Sequence, residues 1–374
     1  MPKLKYFAAA SPLIAGAGTV LGAFIQAHKY KLRRRTILVP DGISFDPDEV
    51  TDVPVLKPEE RAHALRILHI SDPHLLARQY RRAGFIRELD VQNPDLIVLT
   101  GDLISEAEAI PPLLEALAAF SNITGVFVFG SNDYFAPKLK SPLKYFRKNR
   151  EIKQNAESFK TLPTAELISG LENFGWINLN NSRAALELGS WEINFVGVDD
   201  PHIQRDKFPP KSVRKKAEKI TSNASQSTPS SSQKLNPTKQ EELRSRIQIG
   251  LTHAPYKRVL DQLQNDGCHL VFAGHTHGGQ ICLPGHRSLV TNCDLPTSHG
   301  SGLFRWPIVK EAKTNKSCTQ NSPIHGDGAV IGWDSTSQNE QMWVQISAGL
   351  GTSPFTPFRI FCAPEVVQLE IIRI

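Results

Sequence analysis

At 374 residues, 40% hydrophobic and 21% charged, the chain has the composition of an ordinary folded protein, with room for one large domain plus appendages or for two modest domains. A net charge of +6 and a pI near 9.0 hint at anionic partners, but the basic residues gather at Lys29 to Arg35, Lys138 to Arg150 and Lys207 to Lys219, and such runs are more often solvated faces. The five cysteines show no C-x-x-C spacing, which argues against a disulfide framework or a structural zinc ribbon and fits a reducing compartment.

Taken in chain order, Tyr6 to Ala27 is uncharged and about long enough for the roughly 20 apolar residues of a membrane span, although its glycines and alanines make it a weak one. Lys3, Lys5 and the small residues from Ala15 to Gly18 also suit a cleaved signal. Lys29, Lys31, Arg33, Arg34 and Arg35 follow the run, and positive charge stays cytoplasmic. The expectation is therefore an uncleaved membrane segment with its basic flank over residues 1–35, a Pro/Asp-rich connector over 36–65, and a cytoplasmic domain over 66–374.

Arg66 to Asp72 reads as a short buried strand, Gly84 to Val91 as a helix, Asp95 to Thr100 as a strand, Pro111 to Phe120 as a helix opened by proline, and Gly125 to Phe129 as a strand. This β-α-β-α-β order predicts an α/β fold with functional loops at the strand C-termini. Trp191 to Val198, Ile247 to Thr252, Leu270 to Ala273, Met342 to Ser347 and Val366 to Ile372 add strands, enough for two sheets. Residues 220–242 lack aromatics and are rich in Ser, Thr, Gln, Asn and Lys, so they read as a flexible insertion, and 310–339 as a second.

The first three strands end in Asp72-Pro73-His74, Gly101-Asp102 and Gly130-Ser131-Asn132-Asp133. Asp72, Asp102 and Asn132 recur every 30 residues, the length of a strand, crossover helix and strand, so adjacent parallel strands bring them to one edge. Later strand ends supply His253 and the pair His275 and His277. A lone histidine is usually an ordinary polar residue. Six Asp or His side chains and one Asn, flanked by Gly101, Gly130, Gly274, Gly278 and Gly279, reverse that presumption. Mixed oxygen and imidazole ligands suit two divalent ions, Mn, Fe or Zn, and a central carboxylate such as Asp102 bridges ions about 3.5–4 Å apart in phosphoryl-transfer sites.

The pattern D-x-H, G-D, G-N-H-[DE], H, G-H-x-H resembles that of the calcineurin-like metallophosphoesterases from about Arg66 to the C-terminus. Gly197 to His202, Ala273 to Gln280 and Ser347 to Gly351 are similar to the bacterial membrane-associated branch, some of whose members cleave UDP-2,3-diacylglucosamine. The resemblance implies two facing mixed β-sheets flanked by helices. It also implies a first metal on Asp72, His74 and His277, a second on His253 and His275, and Asp102 as bridge.

The third motif departs from the pattern, because Ser131 stands at the usual asparagine and Asn132 at the usual histidine. Asn132 is favoured over Ser131 as a ligand. Asparagine delivers no proton at neutral pH, which points to substrates with good leaving groups. His202 is a candidate replacement acid, against the alternative of a loop residue with local hydrogen bonds. Asp199 and Asp200 are read either as carboxylates orienting metal-bound histidines or as turn formers before Pro201. Tyr134, Phe135 and the basic run after them are a candidate lining for an anionic or lipid-bearing substrate.

The expected activity is hydrolysis, with water as nucleophile, of a phosphorylated small molecule or a lipid-linked or nucleotide-sugar pyrophosphate. A nuclease is the alternative, less favoured because few aromatics accompany the basic residues, and a non-catalytic membrane scaffold is another. His63, His69, His286, His299 and His325 have no partner pattern in the sequence.

Overall fold

The computed structural model describes residues 18–39, 64–137, 160–211, 215–216, 245–308, 322–332, 342–353 and 356–373. Strands β2 (Leu65–Ile70), β3 (Leu96–Leu99), β4 (Thr124–Phe127) and β5 (Ile177–Asn178) lie parallel and in order. Helices α2 (Tyr80–Arg87) and α3 (Ile110–Leu117) form the first two crossovers, α3 opening with proline in its first turn, where no intrahelical donor is lost. Beyond β2 the sheet continues through β16 (Glu365–Arg373), antiparallel to it, then β1 (Lys31–Val39) and β14 (Ala329–Gly332).

The second sheet runs in the order β13 (Gly302–Trp306), β15 (Met342–Ile346), β10 (Leu270–Ala273), β9 (Ser245–Leu251), β7 (Trp191–Gly197), β6 (Ser182–Leu188) and β8 (Lys215–Lys216), mixing parallel and antiparallel neighbours. The two sheets face each other as expected. Ile37, Ile67 and Leu369 of the first pack on Ile193, Ile249, Phe272 and Trp343 of the second. Alternation along each strand sends the intervening residues outward. Leu68, Ile97 and Phe127 meet Ile86, Leu113 and Leu117 of the helices, joined by Leu167 and Leu171 of α5 (Thr164–Glu172). Val196, Val271 and Val344 meet Val259, Leu260 and Leu263 of α6 (Lys257–Asn265). Strands buried on both faces explain the unbroken apolar run Leu96-Ile97-Val98-Leu99.

Three features differ from the sequence expectations. The basic run, read as a membrane flank, supplies β1, which pairs with β16 along nine residues inside the first sheet, so this sheet draws on residues upstream of 66. Part of the second expected insertion forms β14 at the sheet edge, whereas 220–242 lies outside the described residues. No helix among the described residues is long and apolar enough to cross a membrane. Of the expected span, residues 18–26 are helical (α1) and residues 1–17 lie outside the description. Helix α1 buries Ala23 and exposes Val20, Leu21, Phe24 and Ile25.

Candidate metal centre

The loops after β2, β3 and β4 meet those after β9, β10 and β15 at one rim of the sandwich, and main-chain hydrogen bonds stitch them together. Asp72 N donates to Gly101 O, His74 N to Asp102 O, Gly274 N to His253 O and Gly351 N to Asp72 O, at 2.7–3.0 Å. Asp72, His74, Asp102, His275 and His277 all hold positive φ, between 42° and 69°. Non-glycine residues enter that region at a cost, so surrounding bonds over-determine these five, as is usual at functional sites. Gly274 and Gly130 permit the approach: a Cβ on the first would strike Ser71 and Asp72, and on the second Asp102 and His253.

The side chains converge as the spacing predicted. His74 Nε2 and His277 Nε2 stand 3.0 Å apart, and His277 Nε2 lies 3.6 Å from Asp72 Oδ1. Asp102 Oδ2 is 3.4 Å from His74 Nε2 and 3.5 Å from His253 Nε2, and His275 Nδ1 is 3.2 Å from His253 Nε2. Two buried trios, Asp72–His74–His277 and Asp72–Asp102–His253, each bring their ligand atoms within 4.8 Å of one another. Two ligands held about 2.1 Å from one tetrahedral ion are about 3.4 Å apart, so this donor set fits divalent metal.

Hydrogen bonds on the far side of each ring set its tautomer. His253 Nδ1 donates to Thr100 O at 2.7 Å and His275 Nε2 to Asn292 O at 3.0 Å, so each ring, when neutral, turns its lone pair inward. Burial pushes His74 down to about 4 and His275 and His277 well below the usual histidine range, keeping these imidazoles neutral. Burial raises Asp72 to about 6. For His253 burial opposes protonation, but the adjoining Asp102 carboxylate outweighs it and raises the pKa.

Three residues outside the expected ligand set hold the loops. Asp133 is fully buried and accepts from Asp102 N, Leu103 N and Gly130 N at 2.7–2.9 Å, tying the second and third loops together. Arg359, also fully buried, donates to the carbonyls of His277, Ala348, Gly349 and Gly351. Arg82 donates to Pro73 O and His74 O. Asp133 sits in a motif already singled out, whereas nothing in the local sequence marks Arg359 or Arg82. A hydroxyl chain completes the support: His69 Nε2 meets Thr100 Oγ1 at 2.8 Å, Thr100 donates to Ser71 Oγ at 2.6 Å, and Ser71 donates to Asp72 Oδ2 at 2.5 Å.

Asn132 reaches Asp102, with Nδ2 at 2.7 Å from Oδ2 and its main-chain N at 2.8 Å from Oδ1. Exchanging the amide O and N would turn an oxygen toward an ion held beside that carboxylate. Asp200 Oδ1 caps the turn by accepting from His202 N at 2.8 Å, as the turn reading expects. Asp199 contacts no ligand histidine; it accepts from Tyr134 Oη at 2.8 Å and from Arg205 Nε at 2.9 Å, while the Arg205 guanidinium covers the Tyr134 ring at 4.0 Å. His202 is buried, with Nδ1 3.0 Å from Tyr256 Oη and its ring 4.5 Å from that of His275. The basic run from Lys138 to Arg150 lies outside the described residues.

The family model for calcineurin-like phosphoesterases matches residues 65–279, more than half of the chain. UDP-2,3-diacylglucosamine pyrophosphatase LpxG of Chlamydia muridarum (strain MoPn / Nigg) is 25% identical over 335 residues, covering 81% of this chain and 82% of its own. The uncharacterised metallophosphoesterase YkoQ of Bacillus subtilis (strain 168) is 26% identical over 224 residues; the match takes in 59% of this chain and 63%, under two-thirds, of that relative. The crystal structure of TT1561 of Thermus thermophilus aligns at a TM-score of 0.30 with 14% identity, over 56% of this chain and 81% of that one.

Proposed function

The chain belongs to the calcineurin-like phosphoesterases, hydrolases of phosphoester bonds, and from that premise we propose that it works with two divalent ions on a phosphoanhydride or phosphodiester. One observation carries the two-ion reading: Asp102 Oδ2 stands within 3.5 Å of both His74 and His253, which point to different ligand trios. Asp72, His74 and His277 would hold one ion, His253, His275 and Asn132 the other, and Asp102 both. Ions so held supply Lewis acidity and an activated water at neutral pH.

What the chain itself contributes is order. Carbonyls behind His253 and His275 fix which nitrogen faces inward, the Ser71 hydroxyl orients Asp72, and Asp133 and Arg359 hold the loops in their strained conformation. Asn132 has no proton to give a departing oxygen, so the substrates favoured are those whose leaving group is stable as an anion, a nucleotide among them. The relative named as a UDP-2,3-diacylglucosamine pyrophosphatase supports a nucleotide-sugar or lipid-linked pyrophosphate, and the exposed apolar face of α1 supports a lipid-bearing one.

The test is hydrolysis of an aryl phosphodiester with added Mn²⁺ by the intact chain and by Asp102→Asn. A loss of at least about 10³-fold is expected, and a variant as active as the intact chain would overturn the assignment. A second assay compares a nucleotide diphosphate conjugate with an alkyl phosphate. Faster turnover of the conjugate is expected, and equal rates would sink the leaving-group argument.

A further inference from the structure

Arg35 occupies the middle of β1, and alternation along that strand turns Arg33, Arg35 and Ile37 to the same side, into the space between the sheets. Arg35 is 1% exposed. Its Nη1 donates to Gln345 Oε1 of β15 at 2.5 Å, but Nε and Nη2 have no hydrogen-bond partner, and among the described residues no carboxylate pairs with it. Those two nitrogens form the side edge of the guanidinium, the edge that grips two oxygens of an oxyanion.

Further buried donors belong to the neighbours of Arg35 in the fold. Gln345 Nε2 is attached to the same amide that Arg35 touches, and it too is buried without a hydrogen-bond partner, as is Arg33 Nε. Glu365, the carboxylate whose charge acts most on Arg35, has Oε2 3.5 Å from Arg33 Nε and spends Oε1 on Ala348 N. His286 and His325, both half-buried, stack with ring centroids 4.5 Å apart. Burial and the neighbouring charges, Arg33 and Arg35 among them, push both imidazoles down.

Arg359 and Arg82 are buried too, but those guanidinia are met by carbonyl oxygens. Arg35 is met by one oxygen, that of Gln345, and its other two donors stay unmatched. Two guanidinium charges against one buried carboxylate, Glu365, with the exposed Asp327 acting from the surface, leave this interior with surplus positive charge, a costly arrangement unless an anion joins it.

We propose that Arg35, Arg33, Gln345 and the His286–His325 pair form a second anion site, distinct from the metal centre, for a tetrahedral oxyanion of the phosphate type. The ligand is either free phosphate or the phosphoryl end of a larger molecule; both offer the oxygens that the three unmatched donors of Arg35 and Gln345 need. Because the site lies on β1, β15 and the 286 and 325 loops, it does not rest on the metal reading.

The experiment is calorimetric titration of inorganic phosphate, and separately of glycerol 3-phosphate, into the full chain stripped of metal by a chelator. One phosphate per chain is expected, and the ratio of the two affinities distinguishes a free anion from a phosphoryl end. Arg35→Met should weaken binding about tenfold or more. If circular dichroism shows that variant unfolded, Gln345→Leu, which removes one donor, takes its place with about the same expected loss. Absence of uptake of both probes by the metal-free wild type, or variants that bind as the wild type does, overturns the proposal.

Discussion

Replacing Asp133 by asparagine probes the frame of the metal centre without touching a candidate ligand. The carboxylate takes Asp102 N and Gly130 N on Oδ2 and Leu103 N on Oδ1, all inside the protein. An amide of the same shape offers one oxygen. Placed to keep the first two bonds, it turns an N–H toward Leu103 N; turned over, it orphans two donors. Leaving one buried donor unmet costs about 1–3 kcal/mol, and the bonds that survive lose the strengthening of a charged acceptor, so the total is about 3 kcal/mol. Burial and the charge of Asp102 raise Asp133 to about 8, an effect that cations beside Asp102 offset, so the comparison belongs on Mn²⁺-loaded protein. Urea unfolding followed by circular dichroism gives the stability. Phosphodiester turnover should fall at least about tenfold as the Asp102 and Asn132 loops loosen. A variant within about 0.5 kcal/mol of wild type and equally active would refute the clamp.

Gly130→Ala would drive a methyl into Asp102 and His253, and metal content after dialysis should drop with a stability cost of about 1–3 kcal/mol; unchanged metal content would contradict the close approach. Burial and the charge of Arg35 hold His69 down to about 3, against about 6.5 in an unfolded chain. Between those values the unfolded state binds the extra proton. The stability from neutral His69 is therefore complete above about pH 6.5 and is lost as pH falls toward 3, at about 1.4 kcal/mol per unit. Unfolding free energies measured across that window should have a shallower slope in His69→Asn, by about one proton. Arg359→Met would orphan the carbonyls of Ala348, Gly349 and Gly351 and is expected to cost about 3 kcal/mol and weaken Mn²⁺ binding, read by unfolding and by metal titration. A Met variant with wild-type metal affinity would show that the His277 loop stands unaided.

Much of the candidate site was legible in the chain because its ligands sit where short apolar strands stop. The runs ending at Ile70, Leu99 and Ala273 announce buried strands, and the polar residues that follow have nowhere to lie but the rim. Asp72, His74, Asp102, His253, His275 and His277 come together as that logic requires. Asn132 also reaches Asp102, by its side-chain amide and its main-chain N. An acid before proline fits a turn or an orienting partner, and local sequence does not show the neighbours, Tyr134 and Arg205 for Asp199 and His202 N for Asp200.

The run Lys29 to Arg35 shows what local pattern withholds. Alone, it reads as solvated charge beside an apolar segment, because nothing nearby in the sequence says that Arg35 will be enclosed. Its burial comes from pairing with β16 and from Gln345, 310 positions away. Asp133 and Arg359 are similar, since their work is to satisfy main-chain groups of distant loops, and a hydrogen bond to a backbone atom leaves no trace in the partner's side chain. Thus the sequence by itself determined the parallel run of β2, β3 and β4 and the ligand chemistry, both written in local apolar period and residue type. Only the tertiary structure decided which ring nitrogens face inward, which residues clamp the loops and which arginine lies buried with an open edge, because those depend on what the fold brings to each atom from far along the chain.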